Sequence, residues 1–253
     1  MKSKITFGKK DLIAVLSCVV FLLINLGAVG SGGRERAKRA VCLANLRQLT
    51  LAWTQYADDN DDKIVCGDTG EYDNYNPYGN NYHRGEIPWV LKDWFTTDMN
   101  VKRDAILNGA LFPYCKDVKL YKCPADVRGQ LRSYIAVDAM NCKGWPHMGA
   151  VMIKTKSEIR WLAKRFVFVD YGGALAIGGW TCYVKEDRWW DPPPIRHSEG
   201  TNFSFADGHS EYWQWQDLRT LGYVKPVPPL QPGNIDIRRT QIAAWGPAAG
   251  ADN

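Results

Sequence analysis

The sequence lacks the short motifs that identify the common enzyme classes. It contains no GxSxG nucleophile motif, no HExxH metal motif, no phosphate-binding P-loop and no GxGxxG dinucleotide loop. Its seven cysteines form no CxxC or CxxH pair, which argues against a structural zinc site. These absences predict that the chain is not an enzyme, and that it has no catalytic residue, no cofactor and no bound metal.

The sequence also has little net charge with which to attract nucleic acid. The formal charge is +5 over 253 residues, and many of the basic residues flank a single apolar segment near the N-terminus. These flanking residues are Lys2, Lys4, Lys9, Lys10, Arg34, Arg36, Lys38 and Arg39. Because the rest of the chain is nearly neutral, we expect no nucleic-acid partner. Basic residues beside an apolar run favour membrane headgroups instead.

The apolar segment spans residues 12–29 and reads LIAVLSCVVFLLINLGAV, with no charge over 18 residues. That length is close to the ~20 residues needed to cross a bilayer. A retained single-pass membrane helix is the favoured interpretation. A secretory signal, cleaved near Ala28 and Gly30, is the second. A buried core helix is the third, and it would need apolar cover on every side. Both flanks are basic, so their charge does not decide the orientation.

A second helix is predicted directly after this segment. From about Arg34 to Ala57, apolar side chains recur at spacings of four, three, four and three residues. They are Cys42, Leu46, Leu49, Trp53 and Tyr56. This spacing places them on one face of a helix, which we expect to pack against a folded domain. A glycine-rich kink at residues 30–33 would separate the two helices.

The second half of the chain favours a small antiparallel sheet. Residues 165–170 are a candidate strand whose stretch 166–169 is apolar on both faces, as in a central strand, and residues 133–137 and 181–184 are shorter candidates. Asp207 and Gly208 predict a two-residue hairpin turn within residues 201–215. That turn would pair Phe203 with Tyr212, on the face that meets the long helix. The predicted fold class is therefore α+β, with a long N-terminal helix packed on a small antiparallel β-sheet.

Three sequence blocks resemble a known family. The stretch RHSEGTNFSFADGH, with nine residues between His197 and Asp207–Gly208, resembles the H-X9-DG motif of prepilin-type, pilin-like proteins. The stretch CLANLRQLTLAWTQYADDND resembles the helix that follows their membrane segment, and LYKCPAD resembles their middle segment. At the N-terminus, Phe7 and Asp11 match the family's first and fifth mature residues, although Thr6 stands in place of the usual glycine.

The resemblance implies a pilin-like fold related to the pseudopilins of type II secretion. With the hydropathy and composition of the chain, it predicts a basic leader at residues 1–11, a transmembrane helix at 12–30 and a periplasmic domain at 34–223. Residues 224–253 are rich in proline, glycine and alanine and predict a loosely attached tail. The expected location is the inner membrane, with the domain in the periplasm. The expected partners are the lipid bilayer and other pilin-like subunits, and the expected function is structural assembly. In this family Asp11 would act as the acidic residue that pairs with a neighbouring N-terminus.

Two further features leave alternatives open. Cys115 and Cys123 flank a short segment and are the best candidates for a disulfide in an oxidising compartment, or else two unpaired core residues. His197, Asp207 and His209 could form a metal or proton-relay site, but the turn and strand entry also explain them.

The aromatic content supports a second functional hypothesis. The chain has 11 tryptophans, and several cluster in its last third, among them Trp180, Trp189, Trp190, Trp213 and Trp215. Exposed aromatic faces stack on sugars and pack against partner proteins. A membrane-tethered module that binds a glycan or a protein ligand is therefore the alternative to a structural subunit.

Overall fold

Two helices occupy the N-terminal fifth of the chain in the computed structural model, which describes residues 8–28, 30–69, 85–93, 96–171, 178–222 and 229–250. Helix α1 spans Lys9–Ala28 and α2 spans Ser31–Asp59, with Gly30 at the N-cap of α2. The two helices are separate elements, but Gly32 and Gly33 of the predicted kink lie inside the first turn of α2. Residues 1–7 of the expected leader lie outside the described residues. Within the described part of the chain, no helix combines the length and apolarity needed to cross a membrane.

The remaining helices are short. They are α3 (Met99–Leu107), α4 (Phe112–Cys115), α5 (Leu218–Leu221) and α6 (Ile235–Trp245). Single turns of 3₁₀ helix occur at Val118–Tyr121, Pro146–Met148, Lys156–Glu158, Leu162–Lys164 and Gly246–Ala249.

The sheet has four antiparallel strands in the order β1-β2-β3-β4. They span Tyr134–Ala136 (β1), Phe166–Asp170 (β2), Gly200–Phe205 (β3) and Ser210–Gln214 (β4). Every residue of β2 is buried, as expected for a central strand. Residues 181–184 form no strand, although neighbouring Trp180 makes an isolated bridge to Val137. The architecture is α+β, with a helix and a small antiparallel sheet.

Helix α2 packs along one face of the sheet through its predicted apolar stripe. Cys42, Leu46, Leu49 and Trp53 are at most 1% exposed, and Tyr56 is partly buried beside them. They join Tyr134 and other residues in the first of two cores. The periodicity of the sequence therefore identified the buried face of this helix correctly.

The hairpin differs from its prediction by one residue in register. Asn202 pairs with Tyr212, and Phe203 pairs with Glu211. The amide of Phe205 donates to the His209 carbonyl at 2.9 Å, so the loop contains three residues, with Gly208 at φ +95°. A three-residue loop ending on a left-handed glycine is the next most common hairpin after the two-residue turn.

This register reverses the predicted faces of β3. The face toward α2 is polar: the Asn202 amide donates to the Arg39 carbonyl at 3.4 Å, and the Ser210 hydroxyl donates to the Leu43 carbonyl at 2.9 Å. Phe203 and Phe205 lie in the second core, on the far side of the sheet. The prediction that they meet the long helix is therefore wrong.

The second core includes the C-terminal region. Helix α6 begins at the Asn234 cap, whose side chain accepts from the amides of Asp236 and Ile237, and it buries Ala244 and Trp245. The Trp245 indole donates to the Cys182 carbonyl at 2.9 Å. Residues 229–250 are therefore a packed layer and not the loosely attached tail expected for 224–253. Residues 224–228 and 251–253 lie outside the described residues.

Candidate functional site

The structure separates the two halves of the H-X9-DG motif. His197 is fully buried just before β3, whereas Asp207 and Gly208 form the hairpin turn between β3 and β4. The side chain of Asp207 contacts His209 at 2.5 Å at the surface and not His197. Asp207, His209 and His197 therefore do not share one site, and the turn accounts for Asp207 and Gly208.

The expected Cys115–Cys123 disulfide is not formed, and both residues are free thiols. The Cys115 sulfur lies 3.1 Å from the Tyr121 hydroxyl and also donates to the Leu111 carbonyl at 3.0 Å. The Cys123 sulfur points elsewhere and lies 3.3 Å from Nε2 of His197. The two sulfurs therefore contact different partners. Closeness in sequence was not sufficient to predict a disulfide between Cys115 and Cys123.

A buried cluster of four side chains surrounds His197. Each comes from a different part of the chain: Cys42 from α2, Cys123 from the segment after the Val118–Tyr121 turn, Asp170 from the end of β2, and His197. Their ligand atoms, two sulfurs, one carboxylate oxygen and one imidazole nitrogen, all lie within 4.8 Å of one another. These four residues are hereafter the Cys42 cluster. A set of soft and borderline ligands in this arrangement is of the kind that can hold a metal ion.

Neighbouring groups hold the Cys42 cluster in place. Nδ1 of His197 lies 2.6 Å from the Glu35 carboxylate on α2. The Arg196 guanidinium lies 3.3 Å from Oδ1 of Asp170, and the Ala125 amide donates to the Cys123 sulfur at 3.3 Å. Polar contacts of this second layer fix the orientation and the tautomer of ligating groups.

The electrostatics of the cluster are strongly perturbed. Burial raises the pKa of the Cys42 thiol well above its usual value. A hydrogen bond from Cys42, together with one from His197, lowers the pKa of Cys123 to about 7 in spite of burial. Burial alone would lower the pKa of His197, but hydrogen bonds to Asp170 and Cys123 raise it to about 10. The buried groups therefore compete for protons, which is typical of sites with a chemical role.

Sequence reasoning placed His197 in a motif but missed its partners, and it predicted no metal site. Cys42 and Asp170 are 128 residues apart, so no local spacing could join them. One signal was available: Cys42, Cys123 and His197 each lie within one of the three blocks that carry the family resemblance.

Asp11 lies at the start of α1. Its carboxylate accepts from the Gly8 amide at 2.9 Å, so it caps the first turn of its own helix. An N-terminal acidic group also interacts favourably with the helix dipole. The expected role of Asp11 toward a neighbouring subunit stays a prediction.

A second buried acid, Asp138, lies away from the cluster. It is 2% exposed, and its carboxylate accepts from the Lys143 amide at 3.0 Å and from the Trp145 indole. Burial raises its pKa from 3.8 to about 7, although both hydrogen bonds oppose this shift.

This raised pKa predicts a pH-dependent stability. The folded protein keeps the Asp138 proton up to about pH 7, whereas the unfolded chain releases it near pH 3.8. The stabilising contribution is therefore full below about pH 4 and is lost as the pH rises through about 7. Asp138→Asn cannot ionise, so its free energy of unfolding relative to wild type should increase from pH 4 to pH 8. Urea denaturation across this range measures the difference, and a constant difference would contradict the prediction.

Comparison with known proteins finds no family model, no curated protein and no solved structure that matches this chain.

Proposed function

We propose that the chain is a pilin-like structural subunit, anchored in the inner membrane by α1 with its folded domain in the periplasm. It would act in a pilus-like or type II secretion-related assembly. The observation that carries this proposal is the exposed apolar surface of α1. Its large apolar side chains are 45–67% exposed: Leu12, Ile13, Val15, Leu16, Val19, Val20 and Phe21.

An apolar surface of this extent is unstable in water. Fully burying one such side chain is favourable by about 1.5–3 kcal/mol, so seven of them on one helix favour lipid or neighbouring helices as cover. The described side chains of α1 end at Phe21 and do not form a membrane span by themselves, so the proposed anchor also depends on the sequence run, which continues uncharged to Val29. The side chains of residues 22–29 lie outside the described residues. Lys9 and Lys10, both exposed, are placed to meet headgroups at one end.

The domain behind α1 supports the pilin-like part of the proposal. A 29-residue helix, α2, lies with its apolar stripe on an antiparallel sheet, and the H-X9-DG stretch supplies the last hairpin of that sheet. This arrangement has the long helix and small sheet that the resemblance implies.

Crosslinking through Cys18 tests the proposal. Cys18 lies on α1 and is exposed, whereas the other cysteines are buried or half-buried. A photoreactive benzophenone maleimide attached to Cys18 in native membranes should form covalent products with the α1 segments of pilin-like neighbours. Mass spectrometry identifies the linked peptides.

Cys18→Ser is the control for this experiment. It removes the attachment point and should abolish the crosslinked products, so products that persist in this variant do not report on α1. Two outcomes would contradict the proposal. Recovery of the full-length chain in the wash after alkaline extraction of membranes would exclude the anchor. Crosslinks to lipid alone would support the anchor but exclude the assembly.

The alternative, a glycan- or protein-binding module, loses much of its basis. Trp180, Trp189 and Trp215 are at most 2% exposed and fill the second core. Trp190 is 41% exposed and contacts the Trp145 ring at 4.6 Å between centroids. The predicted aromatic binding surface is therefore mostly core packing, and the structural subunit remains the better-supported function.

A further inference from the structure

Three distances between ligand atoms of the Cys42 cluster match those of a tetrahedral coordination shell, and all four atoms lie within 4.8 Å of one another. Oδ2 of Asp170 lies 3.3 Å from the Cys42 sulfur and 3.3 Å from Nε2 of His197. Nε2 of His197 lies 3.3 Å from the Cys123 sulfur. With zinc–sulfur bonds of about 2.3 Å and zinc–nitrogen or zinc–oxygen bonds of about 2.0–2.1 Å, neighbouring ligands of a tetrahedron lie roughly 3.3–3.8 Å apart.

The orientation of His197 favours a cation at the centre. Nδ1 of His197 donates a hydrogen bond to Glu35, 2.6 Å away, so Nε2 is the ring nitrogen that faces the cluster. Without a metal ion Nε2 can carry a second proton, and that proton must leave before the Nε2 lone pair can bind a cation. Nε2 faces a carboxylate oxygen and a sulfur, each at 3.3 Å. Such contacts are repulsive unless a proton or a cation lies between them. A proton on Nε2 can bridge it to one neighbour, whereas one metal ion satisfies all four ligands.

The second layer of contacts has the features of a metal site. A histidine that binds a metal through one ring nitrogen commonly donates a hydrogen bond from the other nitrogen to a carboxylate, and here Glu35 is that carboxylate. The Ala125 amide donates to the Cys123 sulfur, as amides do to metal-bound thiolates. Arg196 binds the Asp170 oxygen that faces away from the cluster and adds a positive charge to a site with three anionic ligands.

We propose that Cys42, Cys123, Asp170 and His197 bind one zinc ion as a structural site. The donors are two sulfurs, one nitrogen and one oxygen, a set that suits zinc better than the harder cations calcium and magnesium. All four residues are fully or almost fully buried, which leaves no open position for a substrate and indicates a closed site.

The ion would join α2 to the sheet and to the middle segment. Its ligands come from α2, from residue 123, from the end of β2 and from the entry to β3, so a single ion cross-links elements far apart in sequence. Binding free energy of a site that exists only in the folded chain adds to the stability of the fold. This inference is independent of the assembly proposed above, since either could fail without the other.

Metal analysis of the purified full-length protein tests the inference directly. We expect one zinc per chain by elemental mass spectrometry, and intense visible bands of tetrahedral thiolate-bound cobalt after exchange with Co²⁺. Cys42→Ser and Cys123→Ser should each lose the ion. Cys182→Ser is the matched control, because Cys182 is equally buried but lies outside the cluster. Retention of zinc by Cys42→Ser and Cys123→Ser, or its loss from Cys182→Ser alone, would overturn the assignment of the metal to the cluster.

A variant that keeps all four ligands separates binding from folding. Glu35 is part-exposed and touches the cluster only through His197. Glu35→Gln should therefore keep the fold and weaken zinc binding by about 10–100-fold, measured by competition with a chromophoric chelator. In wild type, a strong chelator should lower the melting temperature and added zinc should restore it. Folded metal-free protein with an unchanged melting temperature, or a Cys42–Cys123 disulfide found by mass spectrometry, would overturn the inference.

Discussion

Leu46→Ala is expected to lower the free energy of unfolding by about 2–5 kcal/mol, because it leaves a cavity under α2. Leu46 is fully buried in the first core, among Cys42, Trp53 and residues of the sheet. The substitution removes the same atoms as Leu51→Ala, five residues further along the same helix. Leu51 is 47% exposed, so its truncation should cost less than about 1 kcal/mol.

Denaturant unfolding of the full-length protein in detergent micelles, followed by tryptophan fluorescence, measures both variants. The pair shares helix propensity and side-chain chemistry, so only burial distinguishes them. Equal costs for Leu46→Ala and Leu51→Ala would mean that the stripe of α2 does not pack on the sheet, and would remove the basis of the pilin-like architecture.

A second large effect is expected at a buried ion pair. Arg132 and Asp93 form a two-point contact, Nη2 to Oδ1 at 2.6 Å and Nε to Oδ2 at 3.1 Å. Their side chains are 2% and 9% exposed. Arg132→Met should destabilise the fold by about 3–5 kcal/mol, because it leaves the Asp93 carboxylate buried without its partner. Arg132 also donates to the Tyr134 carbonyl at 3.0 Å, so the variant frees one end of β1 as well.

The double variant Arg132→Met/Asp93→Leu identifies the origin of this cost. Removing both charges should restore more than half of the lost stability, because no unpaired charge remains. Arg188→Met is the control: its pair with Glu186 is partly exposed, with side chains 32% and 46% accessible, and should cost at most about 1 kcal/mol. Arg132 also lies over the Trp89 ring, 5.6 Å from its centroid. If the double variant is as unstable as Arg132→Met, the loss comes from the contacts of Arg132 with Trp89 and the Tyr134 carbonyl and not from charge.

Structural elements that are set by a local sequence pattern could be predicted well. The 3–4 spacing from Cys42 to Tyr56 identified both the helix and its buried face, because residues three and four apart share a face. The apolar run at 166–169 identified the central strand, because a strand buried on both faces carries apolar side chains at consecutive positions. The Asp207–Gly208 pair located the hairpin but not its register, since a three-residue loop and a two-residue loop both accept a glycine at this position.

Features that depend on distant partners could not be predicted. The abundance of proline, glycine and alanine after residue 223 concealed α6, whose burial depends on the far face of the sheet. The tryptophans were placed at the surface because composition does not distinguish an indole in a core from one in a binding face. The Cys42 cluster assembles residues from position 42 to position 197, which only the completed fold brings together.

The contact between Glu35 and His197 has a mechanical consequence. Glu35 lies in the second turn of α2, ahead of two further contacts between this helix and the domain. The next is Arg39, which lies 4.3 Å from the centroid of the Tyr212 ring, and the third is Cys42, which contacts Asp170. A pulling force applied through α1 would separate α2 from the rest of the domain beginning at its N-terminal end, and would break these three contacts in that order. Resistance to pulling would then depend on the region around His197 before the central part of the sheet carries any force.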